Sequence, residues 1–248
     1  MPGPMKDCSR FFGKYTGEGM ALYAIGDLHL SIGTGKSMEV FGGRWLNYME
    51  KIKQGFSLVQ PEDTVVLCGD LAWGMSLEQA KDEFAFINDL PGKKIILKGN
   101  HDYWWTTVHK AQTAFAEYGF HDLEILHNNC FFYNDIAICG TRGWFFEEEK
   151  GGEHDKKVMN REIMRLEASL KAAGDKTKYV FLHYPPKYQN YECPEILELF
   201  RKYEVPVCVY GHIHDKGCAY AFTGTHENTR YQLVSADHVY FIPQKIMD

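Results

Sequence analysis

No apolar run in this chain approaches the roughly 18 residues that a membrane helix needs, and the N-terminus lacks the apolar stretch of a secretory signal. The chain also has no C-x-x-C pair. Its seven cysteines, Cys8, Cys68, Cys130, Cys139, Cys193, Cys208 and Cys218, are an odd number scattered along its length. That pattern speaks against a disulfide framework and for reduced, mostly buried thiols, so the expected location is cytoplasmic. There is no internal repeat, low-complexity tract or Pro/Ser-rich linker. Positive charge is in deficit: 27 Lys and Arg stand against 33 Asp and Glu, a formal net charge of −6, with no Lys/Arg cluster. Neither a long nucleic acid nor a membrane surface is an expected partner, and any anionic ligand needs a local positive site.

What is present is the composition of an ordinary globular protein: 248 residues, 45% hydrophobic and 15% aromatic, enough for one large domain or two small ones. Residues 1–19 are glycine-rich and irregular and are expected to be an extension or tag remnant, with 20–248 a single domain. From there short apolar, β-branched runs recur at 22–25, 64–68, 94–97, 179–182 and 207–210, each reading as a buried strand. Helical spacing separates them. Leu77, Ala80, Phe84 and Ile87 step by three and four behind Ser76 and Gln79, which have capping-box spacing. Met159, Ile163, Leu166, Leu170 and Ala173 repeat the pattern, and Gly174 is a natural stop. Further strands are expected at 130–133, 136–139, 219–222, 231–234 and 239–242, without helices between them. This alternation predicts a mixed sheet, or two packed sheets with helices outside. An exposed loop is expected at 147–152.

Each of the five main runs leads into polar residues of one kind. The first is followed by Gly26-Asp27-Leu28-His29, the second by Gly69-Asp70, the third by Lys98-Gly99-Asn100-His101-Asp102, the fourth by His183 and the fifth by Gly211-His212-Ile213-His214. Ligands in open α/β sheets bind beyond the C-terminal ends of strands, so these segments can converge on one crevice. Carboxylate, amide and imidazole donors without a thiolate are too nitrogen-rich for calcium or magnesium and unlike a Cys-based zinc site; they suit Mn, Fe or Zn. Seven side chains exceed the needs of one ion and serve two.

Taken in this order, Asp27-x-His29, Gly69-Asp70, Gly99-Asn100-His101-Asp102, His183 and Gly211-His212-x-His214 resemble the five-motif signature of the calcineurin-like metallophosphoesterases. The resemblance implies an α/β fold, a four-layer α/β/β/α sandwich of two mixed sheets with a dinuclear metal centre at the sheet ends. It implies Asp27, His29 and His214 on one divalent ion, Asn100, His183 and His212 on the other, and Asp70 bridging. The protein serine/threonine phosphatases of that superfamily continue the second motif as Asp-Arg-Gly and end the third with Glu. Here Leu71 follows Asp70, and Asp102 ends the third motif, which points to the bacterial-type branch.

Such a centre predicts hydrolysis of a phosphomonoester or phosphodiester by a metal-bridging hydroxide. His101 is the candidate general acid. Asp102 is expected either to orient His101 or to cap the following turn. Arg142 is read either as a clamp on a phosphate oxygen or as a surface arginine. Trp73, Trp104, Trp105 and Trp144 lie near the motifs and can wall the pocket or pack in the core. Of the six remaining histidines, His154 is the one whose loop is a candidate to fold over the site. A small phosphorylated substrate, a nucleotide among them, is the expected partner. The alternatives are a non-catalytic metal-binding scaffold and a nuclease, the latter disfavoured by the acidic balance.

Overall fold

The computed structural model describes residues 19–144 and 152–248. The 1–18 part of the expected extension, the 147–152 loop apart from Gly152, and the His154 side chain lie outside the described residues.

The strands of the first sheet are β1 (Leu22–Ile25), β2 (Thr64–Leu67), β3 (Lys93–Ile96), β4 (Leu123–Ile125) and β13 (Gln244–Met247), ordered β13-β1-β2-β3-β4. The second sheet holds β5 (Cys130–Tyr133), β6 (Ile136–Thr141), β7 (Thr177–Leu182), β10 (Val207–Tyr210), β11 (Gly224–His226) and β12 (Thr229–Leu233), in the order β11-β12-β10-β7-β6-β5. Both are mixed. In the first, β1 to β4 run parallel and β13 antiparallel; in the second, β6, β7, β10 and β12 run parallel, with antiparallel β5 and β11 at the edges. A small hairpin, β8 (Lys187–Tyr188) with β9 (Tyr191–Glu192), stands apart.

Side-chain alternation along each central strand explains the layers. Leu22 and Ala24, Val66 and Cys68, and Ile95 and Leu97 join Ile138, Phe181, Val207 and Val209 in a core between the two sheets. Their neighbours Ile25, Val65, Leu67 and Ile96 face outward instead, onto α1 (Tyr48–Phe56), α2 (Lys81–Asp89) and α3 (Val108–Tyr118). The far face of the second sheet is covered by α4 (Glu153–Ala172) and α5 (Pro194–Lys202) through Leu166, Leu170, Ile196 and Phe200. The layers are thus α/β/β/α, and because both faces of each sheet are buried, the strands read as continuous apolar runs. Each such aliphatic side chain contributes about 1.5–3 kcal/mol on burial. Among the described residues no helix is long and apolar enough to cross a membrane.

Several elements depart from expectation. Of the capping-box bonds, Gln79 N–H does donate to Ser76 Oγ at 3.2 Å, but the Gln79 side chain accepts from Met75 N–H at 2.9 Å and not from Ser76, and both bonds close turns ahead of α2, which starts at Lys81. The 219–222 strand is replaced by a 3-10 turn, Asp215–Tyr220, which carries the chain away from His214. Residues 239–242 are a turn and not a strand, with Tyr240 and Phe241 in the left-handed region. Their apolar character serves packing: Phe241 is buried against Trp45 with ring centroids 5.3 Å apart, and its carbonyl approaches Gly55 of α1 so closely that a Cβ there would lie 2.1 Å from it. This turn sends β13 back along β1. The helices α1, α3 and α5 lacked a recognised signal, although α5 opens on Pro194 in its first turn and α3 is capped by Thr107.

Candidate metal centre

Parallel register brings the motif segments together. Ile25 is beside Leu67 and Leu67 beside Ile96 in the first sheet, while Thr141, Leu182 and Tyr210 are aligned in the second. The two edges are joined where the strands end: Gly26 N–H donates to Val234 O at 2.8 Å, and His212 N–H to Asp27 Oδ2 at 2.9 Å. The turns are tight. A Cβ on Gly99 would lie 2.0 Å from Asp70 Oδ1, and Gly69, at φ +83°, has the Gly99 backbone 2.6 Å from where its own Cβ would stand. Asp27, His29, Asp70 and His212 themselves adopt positive φ, 59°, 45°, 52° and 73°. Left-handed backbone costs a residue with a Cβ roughly 1–2 kcal/mol, so strain is concentrated here.

Ligand-type atoms form two groups, each within 4.8 Å: Asp27, His29 and His214, and Asp70, His183 and His212. Asn100 joins the second, its Oδ1 2.6 Å from His183 Nε2. Asp70 stands between them, with Oδ2 3.5 Å from His183 Nε2 and 3.8 Å from His29 Nε2. All seven motif residues therefore meet in one place. Hydrogen bonds fix which imidazole nitrogen faces inward: His183 Nδ1 lies 3.0 Å from Cys68 O, and His214 Nδ1 lies 2.8 Å from Asp237 Oδ1, so the Nε2 atoms face the cluster. His29 Nε2 and His214 Nε2 are 3.3 Å apart, two ring nitrogens directed at one point.

Burial sets the charge states. It lowers His29, His183 and His212 to about 3, with His214 adding to the effect at His29 and His183 adding at His212. These are neutral imidazoles, the form a metal requires. His214 differs: burial pulls it down, but the Asp27 carboxylate and Asp237 raise it to about 10. Burial, then Asp102 and Asp27, push the Asp70 carboxyl well above its ordinary range. Three carboxylates, Asp27, Asp70 and Asp102, are buried together, and a cation is the natural counterpart of such a set. The donors, carboxylate, amide and neutral imidazole converging on two points, fit divalent transition metals.

The other predicted residues fall in different places. The His101 ring lies at the rim, 4.9 Å from the Trp73 ring and 5.9 Å from that of His29; its Nδ1 is 3.3 Å from Tyr103 Oη, and its backbone N–H donates to Asp70 Oδ1 at 2.7 Å. The hydrogen bonds of the Asp102 carboxylate come from backbone N–H groups and an indole and not from the His101 ring. The carboxylate is fully buried and accepts from the backbone N–H groups of Gly99, Asp70 and Leu71 at 2.7, 2.8 and 2.8 Å and from Trp104 Nε1 at 2.8 Å. It ties the second motif to the third. Arg142 does not project freely from the surface: its Nη2 is 3.7 Å from Glu162 Oε1, and its carbonyl accepts from the His183 N–H at 3.2 Å. Trp73 stacks on His29 with centroids 5.1 Å apart, Trp104 is a core residue, Trp105 borders a cavity beside the centre, and Trp144 packs against Tyr184.

Two contributors were missed. Asp237 lies beyond β12, bonded also to the Asp215 N–H at 2.9 Å, and Trp45 packs 6.0 Å from His29 and 5.9 Å from His214. Neither sits at a strand end with a recognisable spacing.

A family model described as calcineurin-like phosphoesterase matches residues 20–216. Among solved structures, TT1561 of Thermus thermophilus is similar at 14% identity, covering 79% of this chain and 83% of that one with a TM-score of 0.52. A protein of unknown function, AQ665 from Aquifex aeolicus, is 16% identical over 91% of this chain and 95% of its own, with a TM-score of 0.49. No curated protein matches the chain.

Proposed function

We propose that the chain, which belongs to the calcineurin-like phosphoesterase family, hydrolyses a small phosphorylated substrate, a phosphomonoester or phosphodiester, at the cluster just described. The observation that carries this reading is the position of Asp70, whose Oδ2 lies within 3.8 Å of an inward-facing imidazole from each ligand group. Asp27, His29 and His214 would hold one divalent ion, and Asn100, His183 and His212 the other, with Asp70 shared. Mn, Fe or Zn suits these donors. Ions bound there supply Lewis acidity toward phosphate oxygens and lower the pKa of a water.

The chain's own residues supply the rest. His101 is the proton donor to the leaving oxygen: Tyr103 engages its Nδ1, leaving Nε2 for that task. Arg142, steered by Glu162, binds a phosphate oxygen from the side of His183. Trp73 and Trp45 hold the His29 ring and keep water from its face. The net charge of −6 supports a small substrate over a long polynucleotide.

The test is to reconstitute the chain with Mn²⁺, measure bound metal, and compare the hydrolysis of nitrophenyl phosphate with that of its bis(nitrophenyl) diester. About two ions per chain and turnover of either ester are expected. Absence of metal uptake, or uptake without hydrolysis of either ester, overturns the reading.

A further inference from the structure

Beside the metal centre lies a cavity of about 360 Å³ whose lining is unusual for an acidic protein. Lys98, Arg142 and Arg165 face it, with Glu162 as the one carboxylate among the described residues that line it, so two positive charges are left uncompensated among these. Glu162 is buried and accepts from Thr141 Oγ1 at 2.5 Å and Arg165 Nη1 at 2.5 Å, with Arg142 Nη2 at 3.7 Å. It therefore acts as a hinge post that aims two guanidinium groups, while its single charge cannot neutralise both.

Donors remain unused. Arg142 Nε is buried with no hydrogen-bond partner, and Lys98 Nζ has no acceptor among the described residues, lying 6.0 Å from the Trp105 ring centroid. The N-terminal end of α3, at Thr107 and Val108, also lines the cavity and adds the positive end of an eleven-residue helix. Trp105 forms one wall, its ring 5.7 Å from that of His127.

The segments that line this cavity adjoin those that carry the proposed catalytic cluster, and the Arg142 carbonyl accepts the His183 N–H at 3.2 Å. Lys98 precedes Asn100 by two positions, and Arg142 follows Thr141, which pairs with Leu182 just before His183.

We propose that the cavity lined by Lys98 and Arg165, with Arg142 standing between it and the cluster, is a second phosphate subsite, so that the substrate is a small molecule bearing a further phosphate group besides the one that is cleaved. The inference rests on the phosphoesterase reading only for the word substrate; the subsite itself stands on its charge and unused donors. Planar guanidinium groups with a lysine beside a helix N-terminus match a tetrahedral oxyanion.

The test begins with the metal-stripped chain, in which no ion at the cluster competes with the cavity for phosphate. Calorimetric titration with inorganic phosphate should show one site, weakened about tenfold or more in Lys98→Met and in Arg165→Gln, each about the loss of one charge-assisted contact. Arg165 also pairs with the buried Glu162, so the unfolding midpoint of its variant is measured alongside, and Lys98→Met, which leaves that pair intact, is the cleaner test. No binding to the wild type, or equal binding by both variants, overturns the proposal. An equal response to acetate would reassign the pocket to carboxylates and overturn the phosphate assignment. A second arm uses the Mn²⁺-loaded chain: kcat/KM for fructose bisphosphate should exceed that for fructose monophosphate by about tenfold, the ratio falling toward unity in both variants through KM. Equal ratios in wild type and variants overturn it. If no ester of any kind is hydrolysed, the phosphoesterase reading fails, and the phosphate titration still decides the subsite.

Discussion

The Asp237 carboxylate holds the His214 imidazole through a 2.8 Å contact to Nδ1, across 23 positions of sequence, and the same carboxylate accepts the N–H of Asp215. This pairing fixes the tautomer and the direction of Nε2. Orientation of a ligand by its outer partner is worth roughly 10–100-fold in metal affinity. Asp237→Asn is therefore expected to weaken one of the two metal sites by that factor and leave the other, around His183 and His212, near its wild-type affinity. Isothermal titration with Mn²⁺ reads both; a uniform loss at both sites would count against the pairing's local role.

Asp70 lies between the two groups, and its removal should be felt by both. The Asp70→Ala protein is expected to bind neither ion tightly, whereas loss of His29 alone should spare the second group. Metal content after dialysis checks this. A variant that kept one ion at full affinity would show that Asp70 belongs to a single group.

Asp102 accepts four backbone N–H groups, the longest from Ala72 at 3.4 Å, and an indole N–H in a fully buried position. Asp102→Ala takes this acceptor from all five donors, at a cost of at least about 3 kcal/mol. Urea unfolding should show this loss with no metal present. Unchanged stability with diminished turnover would restore Asp102 to a role acting through His101.

Lys94 carries a pH dependence remote from the metal cluster. Its side chain is buried, donates to Leu90 O at 2.7 Å and Asn88 O at 3.0 Å, and burial lowers its pKa to about 8 against the opposing pull of Asp122 and Asp89. Between about 8 and the unfolded value of 10.5 the unfolded chain binds more protons at this site than the folded one, so stability from Lys94 rises with pH and is lost as pH falls through 8. The stability difference between wild type and Lys94→Met should move in favour of wild type by roughly 2 kcal/mol from pH 8 to pH 10. A pH-independent difference would mean that Lys94 titrates normally.

The five apolar runs and the polar residues that end them were legible in the sequence because two physical constraints coincide there. A strand buried on both faces must be apolar throughout, and a metal ligand must stand where the chain leaves the sheet. Thus β1 and β10 match their expected spans, and Asp27, His29, Asp70, Asn100, His183, His212 and His214 all converge. The weaker expectations were those in which apolar character had another cause. Phe241 is apolar because it fills the space beside Trp45, so the 239–242 run imitated a strand.

The strand and helix spacing by itself determined an α/β chain of mixed sheets, the motifs determined the set of residues that converge and the chemistry of their donor atoms, and the four-layer arrangement came from the family resemblance those motifs carry. Only the tertiary structure decided the roles of residues whose partners are distant in the chain. Asp102 turned from the adjacent His101 to the backbone of Asp70 and Leu71, more than 30 positions away. Asp237 was brought to His214, and Glu162 of α4 was placed to aim Arg142 and Arg165 into one cavity. A hydrogen bond or an ion pair is a matter of ångströms, and local sequence spacing carries no record of which distant carboxylate the packing of layers will bring within reach.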